Sequence, residues 1–134
     1  MDIIEWNNSY NINIEIIDEH HKMLVDLLNL LQNVSSNYED KTTVFYVIDN
    51  LKNYTKFHFT TEESLMQKYN YFDYANHIIE HNSFVDKIEY FEKKINENNN
   101  LFSIIELINY LREWLLNHII ISDKIMAQHL IKLL

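Results

Sequence analysis

The sequence predicts an all-α protein, an up-down-up-down four-helix bundle preceded by an extended N-terminal arm. The 134 residues include no glycine and no proline, so tight β-turns lack their preferred residues. Apolar residues recur at alternating steps of three and four along four segments, which is the spacing of one helix face. Short asparagine- and serine-rich links separate these segments, and short links favour antiparallel neighbours.

The predicted arm covers residues 1–17, and the first helix covers about 18–37. In the arm, isoleucine alternates with polar residues at Ile12, Ile14 and Ile16. This alternation predicts an extended segment that lies on an apolar surface. Asp18 is a suitable N-cap for the helix that follows. The apolar seam of this helix consists of Ile17, His21, Leu24, Leu28 and Leu31.

Three more helices are predicted at about 40–68, 73–96 and 101–122, followed by a short amphipathic tail at 124–134. The seam of the second helix consists of Val44, Ile48 or Val47, Leu51, Thr55, His58, Glu62 and Leu65. The third seam consists of Tyr74, His77, His81, Phe84, Ile88, Phe91 and Ile95, and the fourth of Leu101, Ile104, Ile108, Leu111, Leu115 and His118. We expect a single domain that spans residues 1–134.

The amino-acid composition restricts which metal sites, interaction surfaces and cellular locations we expect. The absence of cysteine excludes disulfides and thiolate-bound metals, so a metal ion must bind to His, Asp, Glu or water. A net charge of −9 argues against a nucleic-acid or anionic membrane surface and suits a monomer. No apolar run reaches the roughly 20 residues of a membrane span, and residues 1–10 lack a secretory signal, so we expect a cytoplasmic protein. We also expect no fused output domain, because the chain ends soon after the fourth helix.

Five of the seven histidines and one glutamate occupy seam positions near one end of the predicted bundle. They are His21, His58, Glu62, His77, His81 and His118. In this topology the starts of the first and third helices share an end with the ends of the second and fourth. Burying so many polar side chains without partners would cost several kcal/mol per group. The pattern therefore predicts a metal site.

The number and spacing of these side chains indicate two metal ions. The i, i+4 pairs of the second and third helices place two ligands on one face, although single pairs of this kind are common on protein surfaces. Five imidazoles exceed what one ion normally takes, so two ions bridged by carboxylates account for them better. Glu62 is one candidate bridge. Asp123, five residues after His118, is the other candidate if the fourth helix loosens or ends at this point. Otherwise Asp123 is a surface or capping residue.

With these residues in place, the sequence resembles the hemerythrin family, specifically the single-domain bacterial hemerythrin-like proteins. The resemblance runs from Trp6 to about Asp123. Residues 17–22 (I-D-E-H-H-K) resemble the family's I-D-x-Q-H-K, and residues 58–63 fit its H-F-x-x-E-E. Residues 77–81 fit H-x-x-x-H, and residues 114–123 fit W-L-x-x-H-x-x-x-x-D. Four motifs in this order and at these intervals form a specific pattern.

The resemblance implies a non-haem centre of two iron ions with an oxo or hydroxo bridge, which binds molecular oxygen reversibly. The implied ligands of one iron are His77, His81 and His118. Those of the other are His21 and His58, and the implied bridges are Glu62 and Asp123. Oxygen would bind to the two-histidine iron, in a pocket walled by Leu115, Trp114 and Ile119. Ordinary core packing explains the last two residues equally well.

The sequence departs from the motifs at three positions. His20 stands where the family has glutamine, so it competes with His21 as a ligand, although the seam favours His21. Asn13 replaces a usual glycine in the arm and leaves the path of the arm open. His129 lies outside every motif, and we expect it to be a solvated or tail histidine without a metal role.

The ligand chemistry favours oxygen binding over catalysis. Catalytic di-iron bundles have a carboxylate-rich shell, whereas this centre would have five neutral imidazoles and two carboxylates. We therefore expect oxygen storage, delivery or sensing, with an unidentified protein partner as one recipient. The alternative is a di-iron enzyme acting on peroxide or nitric oxide. A third class is a helical bundle that is metal-free or stabilised by zinc, since imidazoles also suit other metals and the choice of iron rests on the resemblance.

Overall fold

A computed structural model describes residues 3–36, 40–98 and 101–134, and four long helices make up most of them. The helices are α1 (Glu15–Ser36), α2 (Lys41–Lys68), α3 (Tyr74–Asn98) and α4 (Leu101–Asn117). Each packs against the next, and α4 also packs against α1, so the four close into a bundle. The predicted all-α four-helix bundle is confirmed. The predicted link residues 37 and 99–100 lie outside the described residues.

The chain continues beyond α4 without a break. A π-helical segment (His118–Asp123) leads directly into a short helix, α5 (Lys124–Ile131). The amphipathic tail predicted from the sequence is therefore largely helical. None of the helices in the described part of the chain is long and apolar enough to span a bilayer.

The ends of α2 show how polar residues replace glycine in this chain. At the start, the Asp40 side chain accepts a hydrogen bond from the backbone N–H of Thr42 at 2.9 Å and acts as the N-cap. At the end, Asn70 adopts a left-handed backbone with φ 52°. The N–H of Tyr71 then donates to the carbonyl of Met66 at 2.9 Å. Asparagine tolerates this conformation and so takes the place that glycine usually has after a helix.

The arm joins α1 differently from the prediction. The helix begins at Glu15, three residues early, so Asp18 lies in its first turn and the predicted N-cap role of Asp18 is wrong. The Asp18 carboxylate instead accepts the N–H groups of Ile12 at 2.8 Å and Asn13 at 3.1 Å. Asn13 has φ 65°, which explains why a glycine suits this position. Because Ile16 is already helical, it is 50% exposed rather than buried with the arm.

Two apolar clusters lie on either side of the polar seam residues. The larger cluster fills the bundle and includes Leu28, Leu31, Val44, Ile95 and Ile104. The smaller one joins the arm, the α2–α3 link and α5, through Ile12, Ile14, Ile17, Met66, Tyr71, Met126, Ala127 and Leu130. Its packing closes the histidine-bearing end of the bundle against solvent.

His129 belongs to this closing layer. Its Nε2 lies 3.4 Å from the carbonyl oxygen of Tyr69, and its ring centroid is 5.3 Å from that of Tyr71. His129 is therefore a half-buried histidine of the tail, because α5 packs against the α2–α3 link. His129 belongs to neither of the two groups of described side chains that could hold a metal ion.

Candidate metal centre

The structure brings all seven side chains predicted as metal ligands into one buried cluster. Each of the seven is at most 3% exposed: His21, His58, Glu62, His77, His81, His118 and Asp123. Their nitrogen and oxygen atoms form two groups of potential metal ligands that share Glu62 and Asp123. One group contains three histidines and the other contains two.

The three-histidine group surrounds one oxygen of each shared carboxylate. Oε1 of Glu62 lies 3.2 Å from Nε2 of His77 and 3.0 Å from Nε2 of His81. It lies 3.9 Å from Nε2 of His118. Oδ1 of Asp123 lies 3.1 Å from Nε2 of both His77 and His118. All three histidines thus direct Nε2 toward the same point.

The two-histidine group surrounds the other oxygen of each carboxylate. Oε2 of Glu62 lies 2.9 Å from Nε2 of His58 and 3.3 Å from Nε2 of His21. Oδ2 of Asp123 lies 3.0 Å from Nε2 of His21. Each carboxylate therefore presents one oxygen to each group, as a ligand that bridges two ions must do.

Asp123 reaches the cluster because the helix widens after α4. In an α-helix, a residue five positions after His118 points away from the His118 face. The π-helical segment His118–Asp123 has i→i+5 spacing, so Asp123 lies on the same face as His118. Ser122 in this segment donates a hydrogen bond to Oε1 of Glu80 at 2.7 Å, which ties the segment to α3. The predicted loosening of the helix is confirmed.

Several buried atoms of the cluster lack hydrogen-bond partners. Among the described residues no hydrogen-bond partner is found for Nε2 of His21, His58 and His118, Oε2 of Glu62, or either carboxylate oxygen of Asp123. These atoms are close to one another but are not aligned as donors and acceptors. Leaving them so would cost about 1–3 kcal/mol each. A cation between them would satisfy them, so the cluster fits a metal, and imidazole with carboxylate suits first-row transition metals.

The cluster binds protons strongly without a metal. Burial alone would lower the pKa of His21 and His77, but the carboxylates of Asp123 and Glu62, 3.0–3.3 Å from both imidazoles, outweigh it and raise both pKa values to about 9. Burial also opposes ionisation of Glu62 and Asp123, yet the surrounding imidazoles hold the pKa of both carboxyls below its usual range. A metal ion entering this cluster must therefore displace protons.

Two histidines of the three-histidine group have carboxylate partners for Nδ1, the ring nitrogen that faces away from the cluster. Nδ1 of His81 lies 2.9 Å from Oε2 of Glu63, and Nδ1 of His118 lies 3.4 Å from Oε1 of Glu80. Sequence reasoning missed these two glutamates. The signal available for Glu80 was its place beside His81, one residue earlier in the third motif.

His20 does not compete with His21 for the cluster. It belongs to neither group, and its Nδ1 instead lies 3.0 Å from Nδ1 of His58. Burial and the nearby His58 lower the pKa of His20, which favours its neutral form.

The three predicted pocket residues occupy different surroundings. Leu115 and Ile119 are buried in the larger apolar cluster, at 4% and 0% exposure. Trp114 is half-buried and stacks on His118, with ring centroids 4.4 Å apart and planes 14° apart. Trp114 therefore lies beside the three-histidine group, and its predicted role as a pocket wall stays a prediction.

Comparisons with known proteins agree with this geometry. The sequence profile of a family described as "Hemerythrin HHE cation binding domain" matches residues 12–130. The chain is 31% identical to a bacteriohemerythrin of Stenotrophomonas maltophilia, covering 95% of this chain and 81% of that one. It is 30% identical to a bacteriohemerythrin of Clostridium acetobutylicum, covering 89% and 95%. A crystal structure of wild-type hemerythrin superposes with a TM-score of 0.86 at 28% identity, covering 96% of this chain and 98% of that one. The chain belongs to the hemerythrin family.

Proposed function

We propose that this protein binds molecular oxygen reversibly at two iron ions held in the histidine and carboxylate cluster. One observation carries the proposal: each shared carboxylate presents one oxygen to a three-histidine group and the other to a two-histidine group. A pair of iron ions supplies the chemistry because together they can exchange two electrons with oxygen and take them back.

The proposed ligands form two sets, one for each ion. His77, His81 and His118 would hold one ion, and His21 and His58 the other. Glu62 and Asp123 would bridge the two ions, together with an oxo or hydroxo group. Because the two-histidine side supplies one protein ligand fewer, we propose that oxygen enters there.

The surroundings of the cluster favour reversible binding. Leu115, Ile119 and Phe59 are buried apolar side chains of the larger cluster. Apolar side chains of this kind exclude water and supply no proton, so they would favour the release of oxygen unchanged over its loss as superoxide. The arm and α5 close the same end from outside through the smaller cluster.

The donor set favours a carrier over an enzyme. Five neutral imidazoles and two carboxylates supply less negative charge than the carboxylate-rich shells of catalytic di-iron bundles. We therefore propose storage, delivery or sensing of oxygen, with a monomer as the working form. The net charge of −9 keeps molecules of this protein apart.

Iron analysis and optical spectroscopy test this function. Protein purified without added metal should contain two irons per chain. When the reduced, anaerobic protein is aerated, we expect a visible absorption band that disappears on degassing and returns over repeated cycles. The absence of iron would contradict the proposal. Steady consumption of added peroxide or nitric oxide, with no reversible band, would support the enzyme instead.

A further inference from the structure

Nδ1 of three cluster histidines has a side-chain partner, and the chemistry of that partner differs between the two sides, whereas Nδ1 of His21 has no partner among the described residues. On the three-histidine side the partners are carboxylates, Glu63 for His81 and Glu80 for His118. On the two-histidine side, the partner of His58 is a neutral imidazole, His20, at 3.0 Å between the Nδ1 atoms. The difference is one of charge, because a carboxylate is an anionic acceptor and an imidazole is a neutral one.

The contact between His20 and His58 fixes the position of two hydrogens. Two ring nitrogens can share a hydrogen bond only if one carries a hydrogen and the other a lone pair. Nε2 of His58 faces Oε2 of Glu62 at 2.9 Å inside the cluster, so a metal there requires the Nε2 lone pair. The hydrogen of His58 must then be on Nδ1, which donates to Nδ1 of His20. His20 in turn carries its own hydrogen on Nε2.

Neighbouring rings hold His20 in place to accept this hydrogen bond. His20 is only 7% exposed. Its ring lies edge-on to Tyr54, with centroids 5.8 Å apart, and is tilted against Phe57 at 5.0 Å. Both aromatic residues precede His58 on α2. The acceptor is therefore presented by a packed ring, which restricts the orientation of the His58 ring as well.

We propose that His20 is a positioning residue that fixes the tautomer and orientation of His58 and makes the two-histidine side the weaker metal position. The inference rests on the proposed pair of ions but does not require that they bind oxygen. A carboxylate acceptor makes an imidazole a stronger metal ligand, and His20 lacks that charge. The two-histidine side also supplies one protein ligand fewer than the three-histidine side. Metal should therefore bind in two steps, with this side filled last and emptied first.

Titration of the metal-free protein with Fe²⁺ under anaerobic conditions, against a chelator of known affinity, tests the proposal. We expect two steps in the wild-type protein. His20→Leu should weaken the second step about 10- to 100-fold and leave the first unchanged. His20→Gln restores a neutral acceptor and should return the second step to within a few-fold of wild type. Glu63→Gln is the matched control, since it should weaken the first step instead.

A second measurement needs no variant. In wild-type protein loaded with Zn²⁺, ¹⁵N chemical shifts should show the hydrogen of His58 on Nδ1 and that of His20 on Nε2. The opposite tautomers would overturn the inference, and so would a His20→Leu protein whose second step is unchanged. If His20→Leu weakens only the second step while no reversible oxygen band forms, the inference stands and the proposed function fails. If the wild type binds no metal, both fail.

Discussion

At the end of the bundle away from the histidines, side chains such as Leu31, Val44, Ile95 and Ile104 are fully buried among apolar neighbours. At the other end, Glu62 and Asp123 are just as buried, but their neighbours are imidazoles. Burying a large aliphatic side chain contributes about 1.5–3 kcal/mol by itself. Burying a carboxylate is costly unless a cation compensates for it.

The difference shows that protein side chains alone satisfy the apolar end of this bundle, whereas the histidine end also needs metal ions. The apolar end needs nothing beyond its own side chains. The histidine end directs its polar atoms toward points that metal ions would occupy, so metal binding there contributes to folding. We expect the two ends to respond differently to mutation, metal removal and pH.

The largest expected effect comes from removing a proposed ligand. Oδ1 of Asp123 lies 3.1 Å from Nε2 of both His77 and His118. His118→Ala removes one of these two imidazoles and leaves His77. We expect iron content to fall from two per chain to about one. The lost ion should lower the free energy of unfolding by about 4 kcal/mol when free iron is near 1,000 times the dissociation constant. Iron analysis and chemical denaturation measure both effects.

Hydrogen exchange shows where His118→Ala acts. Protection should fall around the π-helical segment and persist near Ile95 at the apolar end. His129→Ala is the matched control, because this half-buried histidine lies outside the cluster. It should keep both irons. Near-normal iron content in His118→Ala would contradict the ligand assignment.

Ile95→Ala probes the opposite end. Ile95 is fully buried, so its truncation leaves a cavity and should cost about 2–5 kcal/mol of unfolding free energy. The loss should be equal in iron-loaded and metal-free protein, and iron content should stay at two per chain. Urea denaturation of both forms measures it. A loss of iron in this variant would show that the two ends are coupled, contrary to the comparison.

The stability of the metal-free protein should depend on pH through the histidine end. Burial lowers the pKa of His21 and His77, but the nearby carboxylates of Asp123 and Glu62 outweigh it and raise both values from 6.5 to about 9. A histidine whose pKa is higher in the folded protein than in the unfolded chain stabilises the fold fully below the unfolded pKa. This contribution is lost as the pH rises through the folded pKa. Stability should therefore fall between pH 6.5 and 9, by up to about 1.4 kcal/mol per pH unit for each proton.

The iron-loaded protein is the control for this pH dependence. Its ions displace the same protons, so its stability should change less between pH 6.5 and 9. Calorimetry in buffers of different ionisation enthalpy should detect protons released on metal binding at pH 7. A metal-free protein whose stability is constant or rises over this range would contradict the prediction. The cost of Ile95→Ala should not change with pH.

The smallest expected effect concerns a polar group at the apolar end. Ser103 is fully buried, and its hydroxyl has no hydrogen-bond partner in the described part of the chain. Ser103→Ala removes that unsatisfied group and should be neutral or stabilising by about 1 kcal/mol. Thr55→Val is the matched control, since the Thr55 hydroxyl donates to the carbonyl of Leu51 at 2.7 Å and its loss should destabilise. Thermal denaturation measures both, and a clear loss of stability in Ser103→Ala would contradict the prediction.

Much of the cluster was predictable because helical periodicity fixes the face of each residue and alternating helix direction fixes its height. His21 and His118 are 97 positions apart in the sequence, yet both were expected at one level, and the structure brings both into contact with Asp123. The helix start near Asp18 was less predictable. An aspartate near a helix start can accept hydrogen bonds from the first turn of the helix that follows it or from the backbone that precedes it. The sequence does not distinguish the two.

The sequence by itself determined the four helices, their buried faces and the meeting of five imidazoles with Glu62 at one end, because all of these follow from spacing along a helix. Tertiary structure decided which carboxylate oxygen faces which histidine. It also decided that His20 contacts Nδ1 of His58 and joins neither group of potential ligands, and that Glu63 and Glu80 support the three-histidine side. These contacts join different helices, and their distances depend on how the helices pack, which no spacing within one helix encodes.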